Sequence, residues 1–252
     1  MNISMLLATR HNAARLEDMF RNIKAFTKHP HQFELIIKID RNDTELLRYY
    51  DSNRWREFHL NLEFVITDQN GGYFNLGPAY NQLLLAANPS SFWICIGNDG
   101  LRFTVQGWDE KMMSYKDQFP DGIAYIRTSL HKQIRYNSDT LRMLMQPDNF
   151  SFYSRQLIHL MEGVGDYWSS DTWFGPIVGL LCDKYSHDRA IIWEGDLFAP
   201  DSMMWSAKPK EAQIRIMNAF LRMNQPEYIK YSFDRIARKI ADHINNHPAN
   251  KK

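Results

Sequence analysis

Phe92-Trp93-Ile94-Cys95-Ile96-Gly97-Asn98-Asp99-Gly100-Leu101-Arg102-Phe103 is the stretch whose reading decides the fold. Its first half is a nearly continuous apolar run of strand length, as expected of a strand covered on both faces. It stops at two adjacent polar side chains. The same pattern recurs upstream: Ile3 to Ala8 runs into Thr9-Arg10, Phe33 to Ile39 into Asp40, and Leu62 to Thr67 into Asp68. Between the first two runs, Leu16, Met19, Phe20, Ile23 and Phe26 recur at helical spacing, with Arg15, Glu17, Arg21 and Lys24 among them. Asn12 is placed to cap this helix, which ends near His29-Pro30. Gly77 to Ala87 reads as a second helix, opened by Pro78. Strand and helix alternate at intervals of about 30 residues, which predicts a parallel sheet with helices on both faces. In such sheets ligands bind at the carboxyl ends of the strands. Those ends carry Thr9-Arg10, Asp40, Thr67-Asp68 and Asn98-Asp99, and no strand's other end is similarly marked.

The second half is less regular. Gly122 to Arg127, Phe150 to Arg155 and Ala190 to Trp193 read as strands, and Gln156 to Met161 and Thr172 to Lys184 as helices. After Pro200 the chain turns helical, with Ile214, Met217, Phe220 and Leu221 on one face. Pro226 breaks that pattern before a last helix carrying Ile229, Phe233, Ile236, Ile240 and Ile244. The expected division is an α/β domain over residues 1–200 and a helical extension over 201–252.

Of 252 residues, 44% are apolar and 23% charged, so a core is available. Thirty Lys and Arg against 29 Asp and Glu leave a net charge of +1, and no nucleic-acid partner is expected. The two cysteines, Cys95 and Cys182, sit in apolar runs and read as buried thiols of a reducing compartment. Seven Trp, twelve Tyr and fifteen Phe suit sugar binding, but they fill cores first. The longest apolar stretch, Leu83 to Gly97, is broken by Asn88, Pro89 and two serines. It falls short of the roughly 18 residues a membrane span needs. The N-terminal run lacks a basic leader and looks like a first strand, so a cytoplasmic protein is expected.

A carboxylate at the end of a buried strand can be reached by a divalent cation, and Asp99 is the candidate. Mg²⁺ and Mn²⁺ take carboxylate oxygens and also bind diphosphates. Asn-Asp-Gly is equally good turn chemistry. Neither a Gly-x-Gly-x-x-Gly nor a Walker loop follows the first strand, and Gly-x-Ser-x-Gly is missing, so dehydrogenase, P-loop kinase and α/β-hydrolase readings fall away. Zinc-type spacings are absent around both cysteines.

With Gly107-Trp108 some eight residues on, Asn98-Asp99 resembles the metal motif of the glycosyltransferases of GT-A fold, in particular family 2. Asn98 stands where an aspartate is usual, which leaves Asp99 as the only acid of the motif. The resemblance implies that Ala8-Thr9-Arg10-His11-Asn12 is the loop holding the nucleotide, that Asp40 faces the base or ribose, and that Gly77 to Asn81 lies beside the nucleotide. Asn98 joins this nucleotide-binding set. Farther on, Phe150 to Arg155, Gly163, Gly165-Asp166-Tyr167 and Ser170-Asp171 resemble the acceptor-side block, where the second acid of a pair is the catalytic base of inverting members. Asp171 matches it, with Ser170 in place of a glutamate and Asp166 as competitor. The resemblance spans about residues 1 to 200, the nucleotide part to about 105 and the acceptor part beyond.

These roles have a physical logic. A cation held by Asp99 would neutralise the departing diphosphate, and Asp171 would take the proton of the acceptor hydroxyl. Arg10 or Arg15 would add charge at the phosphates, against the plainer reading of a solvated arginine. His187, Glu194 and Asp196 are candidates for a third ligand. Asp68 with Asn70-Gly71-Gly72 reads as a turn or a loop over the donor, and His29 and His31 as residues of a helix exit. The expected activity is transfer of one sugar, with inversion, from a nucleoside-diphosphate donor (UDP by default), with Mn²⁺ or Mg²⁺ as cofactor. The acceptor is a glycan, a lipid-linked sugar, a protein side chain or a small molecule. Two alternatives stand beside it: a non-catalytic sugar-nucleotide or glycan-binding module, favoured by Asn98 and Ser170, and a nucleotidyltransferase, which would want a glycine in the 9–12 loop. From Tyr228 onward six Lys and Arg face Asp234 and Asp242. This basic amphipathic tail reads either as a helix packed on the domain or as a peripheral contact with the inner face of a membrane.

Overall fold

The computed structural model describes residues 1–68, 76–128, 150–165, 170–199, 214, 218, 221–222 and 225–251; the side chains of residues 170–172 lie outside the description. Seven strands form one sheet: β1 (Ile3–Ala8), β2 (Phe33–Asp40), β3 (Leu62–Thr67), β4 (Trp93–Gly97), β5 (Tyr125–Arg127), β6 (Phe152–Ser154) and β7 (Ala190–Ile192), in the order β3-β2-β1-β4-β6-β5-β7. β1 pairs in parallel with both β2 and β4, and β2 with β3. β6 runs antiparallel between β4 and β5, with Cys95 opposite Phe152 and Ile126 also opposite Phe152. The chain builds outward from β1 to β3 and then returns to place β4 on β1's other side. That reversal is the switch point at which an open α/β sheet leaves a crevice beyond its strand ends.

Alternation along each strand feeds two cores. Leu6, Ile36 and Ile94 face one layer, while Met5, Leu7, Leu35, Ile37, Trp93 and Cys95 face the other. The second layer is closed by α1 (Ala13–Phe26), α2 (Thr44–Asp51) and α4 (Trp108–Ser114), which bury Leu16, Met19, Phe20, Ile23, Leu46 and Met112. The first is closed by α3 (Leu76–Ala86), α5 (Arg155–Leu160), α6 (Ser170–Asp183) and the terminal helix α7 (Arg235–Asn246), entered through a π-helical stretch Ile229–Asp234. No helix among the described residues is long and apolar enough to cross a membrane.

Trp108 explains the glycine–tryptophan pair after β4. Gly107 has φ +68° and donates to the Phe26 carbonyl at 2.8 Å, a conformation favouring glycine. It turns the chain so that Trp108 stacks on Phe103 with centroids 4.1 Å apart and donates to the Thr27 hydroxyl at 3.2 Å. Asp109 then accepts the Lys28 and His29 N–H groups, tying α4 to the exit of α1. Trp93, Trp108 and Trp193 are all fully buried, in keeping with the core reading of these aromatics.

Several expectations are corrected. The strands of the second half are shorter than their apolar runs: Gly122 and Phe150 lie at turns and Arg155 opens the next helix. Cys182 is half-buried, not buried like Cys95; burial pushes both thiols up. The opposite edge of the sheet is also polar: buried Glu34 accepts from the Ser4 hydroxyl and, at 2.8 Å, from the Asn88 N–H. Its partners are internal, so it is structural. Ile214 and Leu221 are exposed, so they do not line a buried face; Met217 and Phe220 lie outside the described residues. In α7 Ile236, Ile240 and Ile244 are buried, and Phe233 with them, so the apolar face is in the core and cations face outward.

Trp108→Ala should cost about 3–5 kcal/mol of stability in denaturant titration, since it removes a fully buried ring. Glu162 accepts two hydrogen bonds from Arg235, at 2.7 and 2.8 Å, and one from Lys239, which pull its carboxyl down to about 2. Its pKa is lower folded than unfolded, so its stabilisation is present at neutral pH and lost as pH falls from about 4.5 towards 2. Being 44% exposed, the pair is screened, and Glu162→Gln should cost under about 1 kcal/mol at pH 7 and flatten stability across that window.

Candidate active site

The loop leaving β1 is held from below by α2. Asp43 caps α2 through the Leu46 N–H at 3.0 Å and accepts the His11 N–H at 2.7 Å, while Glu45 accepts the Ala13 N–H at 2.8 Å. His11 takes φ +52°, an unfavourable region for a side-chain-bearing residue that these bonds maintain. Asn12 caps α1 by accepting the Arg15 N–H at 3.0 Å.

Across the switch point, the Thr9 hydroxyl donates to Asp99 Oδ2 at 2.8 Å, joining the ends of β1 and β4. Arg15, in the first turn of α1, brings Nε to 3.5 Å from Asp99 Oδ1. Both carboxylate oxygens are therefore engaged. Arg102 donates to the carbonyls of Asp99 at 3.0 Å, Leu101 at 2.7 Å and Arg15 at 3.3 Å, fastening the loop after β4 to α1. Asn98 closes the turn: its Oδ1 accepts the Gly100 N–H at 2.8 Å, and its carbonyl accepts the Leu101 N–H at 3.2 Å.

Asp40, almost fully buried, pairs with Lys38 and lies 3.8 Å from Arg10 Nε. Arg10 thus leans towards Asp40, while Arg15 sits on Asp99. Thr67, in register with Asp40, has a buried hydroxyl without a partner among the described residues. Asp68 pairs at the surface with Arg41 at 2.9 Å. The structure brings together Thr9, Asp99 and Asn98, with Arg10 and Asp40 beside them on the same sheet edge.

Asn81 has a different partner. Its side chain accepts the Val164 N–H at 2.9 Å and donates to the Gly165 carbonyl at 2.8 Å, tying α3 to the turn before α6. A Cβ at Gly163 would meet Asn81 Oδ1 at 2.5 Å, and one at Gly165 would meet the Trp173 ring at 2.7 Å. These two glycines allow that close approach. Asp171 is the second residue of α6, its side chain outside the described set, and Asp166 lies outside it altogether.

The described donors do not fit a divalent cation. Asp99 is the single acid, occupied by a hydroxyl and a guanidinium, and Asn98 turns its oxygen to its own backbone. No three His, Cys, Asp or Glu side chains come together among the described residues, whereas Mg²⁺ and Mn²⁺ seek about six hard oxygen ligands. Of the proposed third ligands, Glu194 is exposed, with Lys111 3.8 Å away. Asp196 is placed near the loop after β4 only by its carbonyl, which accepts from Thr104. Arg15, which local pattern shows only as a residue of an amphipathic helix, is brought to Asp99 by the fold.

No protein-family profile matches this chain, and no curated protein is similar to it in sequence. Solved structures resemble it in fold. A mannosyltransferase from Pyrobaculum calidifontis, PcManGT, in complex with GDP-Man and Mn²⁺, matches with TM-score 0.62 at 15% identity, over 99% of this chain and 70% of that one. TarS 1–349 from S. aureus, in complex with UDP-GlcNAc, matches with TM-score 0.58 at 11% identity, over 100% of this chain and 74% of that one. The fold is that of the GT-A glycosyltransferases.

Asn81→Ala would leave the Val164 N–H and Gly165 carbonyl unpaired. It should cost about 1–3 kcal/mol in chemical denaturation.

Proposed function

We propose that this chain is a glycosyltransferase that moves one sugar from a nucleoside-diphosphate donor to an acceptor hydroxyl, with inversion and with UDP as the default nucleotide. The observation that carries this reading is the meeting of Thr9, Arg15 and Asp99 at the β1–β4 switch point. The nucleotide sugars bound by two proteins of this fold support it. Residues 1–105 would hold the donor, 106–200 the acceptor, and 201–252 would form an extension.

Asp40, oriented by Lys38 and Arg10, would accept from the base or ribose. The Thr9 hydroxyl and the arginines at the same edge would orient the diphosphate. Asp171 would take the acceptor proton as the new bond forms. The Mn²⁺ or Mg²⁺ expected from sequence finds no adequate donor set among the described residues, so no step is routed through it. Contact with an anionic membrane would have to run through the charged outer face of α7.

The test is release of UDP or GDP from nucleotide sugars in the presence of sugar acceptors. Asp171→Asn should lower kcat by about 10²–10⁴-fold while leaving nucleotide affinity unchanged. Binding without release in the wild type would point to the non-catalytic module, and pyrophosphate release to a nucleotidyltransferase.

A further inference from the structure

We propose that Arg15, held over Gly100 by Asp99, is the cation that meets the donor diphosphate, in the role a divalent metal would otherwise fill. The inference rests on the sugar-nucleotide reading and adds which group supplies the charge.

The first observation is the pairing itself. Asp99 gives one oxygen to Arg15 and the other to Thr9. A metal would have to take the same carboxylate, leaving the guanidinium beside a like charge. Arg15 and a cation at Asp99 are competitors.

The second observation is independent and concerns Gly100. Its backbone is outside the left-handed region, so the turn itself does not demand glycine. A Cβ at position 100 would lie 2.1 Å from Arg15 Nη2, 3.1 Å from Asn98 Oδ1 and 3.2 Å from Arg15 Cζ, so a side chain there would push the guanidinium aside. The arginine rests on the bare Cα, and its backbone is fixed by the Asn12 cap and by Arg102. Its side chain is 28% exposed, enough to touch a ligand without being solvated all round.

The third is the chemistry of the group: a guanidinium offers five donors in a planar fork that matches phosphate oxygens. Asp99 is thus a positioning residue. As the bond between the anomeric carbon and the diphosphate oxygen breaks, its electron pair passes to that oxygen. The acceptor oxygen bonds the carbon and gives its proton to Asp171. Arg15 donates hydrogen bonds throughout and transfers no proton.

UDP and GDP are titrated calorimetrically into wild type, Arg15→Gln, Arg15→Lys and Gly100→Ala, each in EDTA and again in Mn²⁺, with thermal melts to verify folding. Wild type should bind one nucleotide equally well in both buffers. Arg15→Gln should lose about tenfold or more in each, and Arg15→Lys should recover part of that loss. Gly100→Ala, whose methyl displaces the guanidinium, should weaken binding as Arg15→Gln does. If Mn²⁺ strengthens wild-type binding by about tenfold or more and Arg15→Gln binds as wild type does, the inference is overturned and the sugar-nucleotide reading stands. If folded wild type binds neither nucleotide in either buffer, both fall together.

Discussion

The hydrogen bond from Thr9 to Asp99 joins the ends of β1 and β4, where the chain returns to the other side of the first strand, and the candidate site is built around it. Parallel strands that grow outward from β1 and then return leave two strand ends facing a gap with no crossing connection over it. Polar groups there meet each other before they meet a ligand. The supports lie farther out: Asp43 and Glu45 on α2 hold the loop after β1, and Arg102 holds the loop after β4.

Much of the remaining architecture holds these loops from a distance. Trp108 and Asp109 fix the exit of α1, whose first turn carries Arg15. Tyr80 donates to the Gly97 carbonyl at 2.7 Å, binding α3 to the end of β4. Asn81, one residue on, binds the same helix to the turn that leads into α6. The end of β4 and the 163–165 turn are thereby both tied to one short stretch of α3. A polar pair that looks like a ligand contact in sequence works here as a joint between elements.

Charge placement follows a similar economy. Each acid at the active edge has a basic neighbour supplied by the chain: Lys38 and Arg10 for Asp40, Arg15 for Asp99, Arg41 for Asp68. Carboxylates paired in this way are oriented by their partners, at the expense of their freedom to coordinate a metal. That is the physical distinction between an acid read as a ligand from its motif and the same acid seen among its neighbours.

The sequence by itself determined the strands of the first half, because apolar runs covered on both faces leave no other reading. It also marked one edge as the candidate site, because polar residues follow all four of those runs. Only the tertiary structure decided what these residues do to one another. Arg15 and Asp99 are far apart in the chain and meet because α1 and β4 flank β1, a juxtaposition that no local pattern encodes. The partners of Asn81, the Val164 N–H and the Gly165 carbonyl, are likewise visible only in the fold. Short strands such as β5 and β6, whose burial comes from neighbours on either side, carry too little periodicity to fix their own ends. Gly100 shows the difference most plainly: as sequence it completes a turn, and as structure it is the surface on which a guanidinium lies.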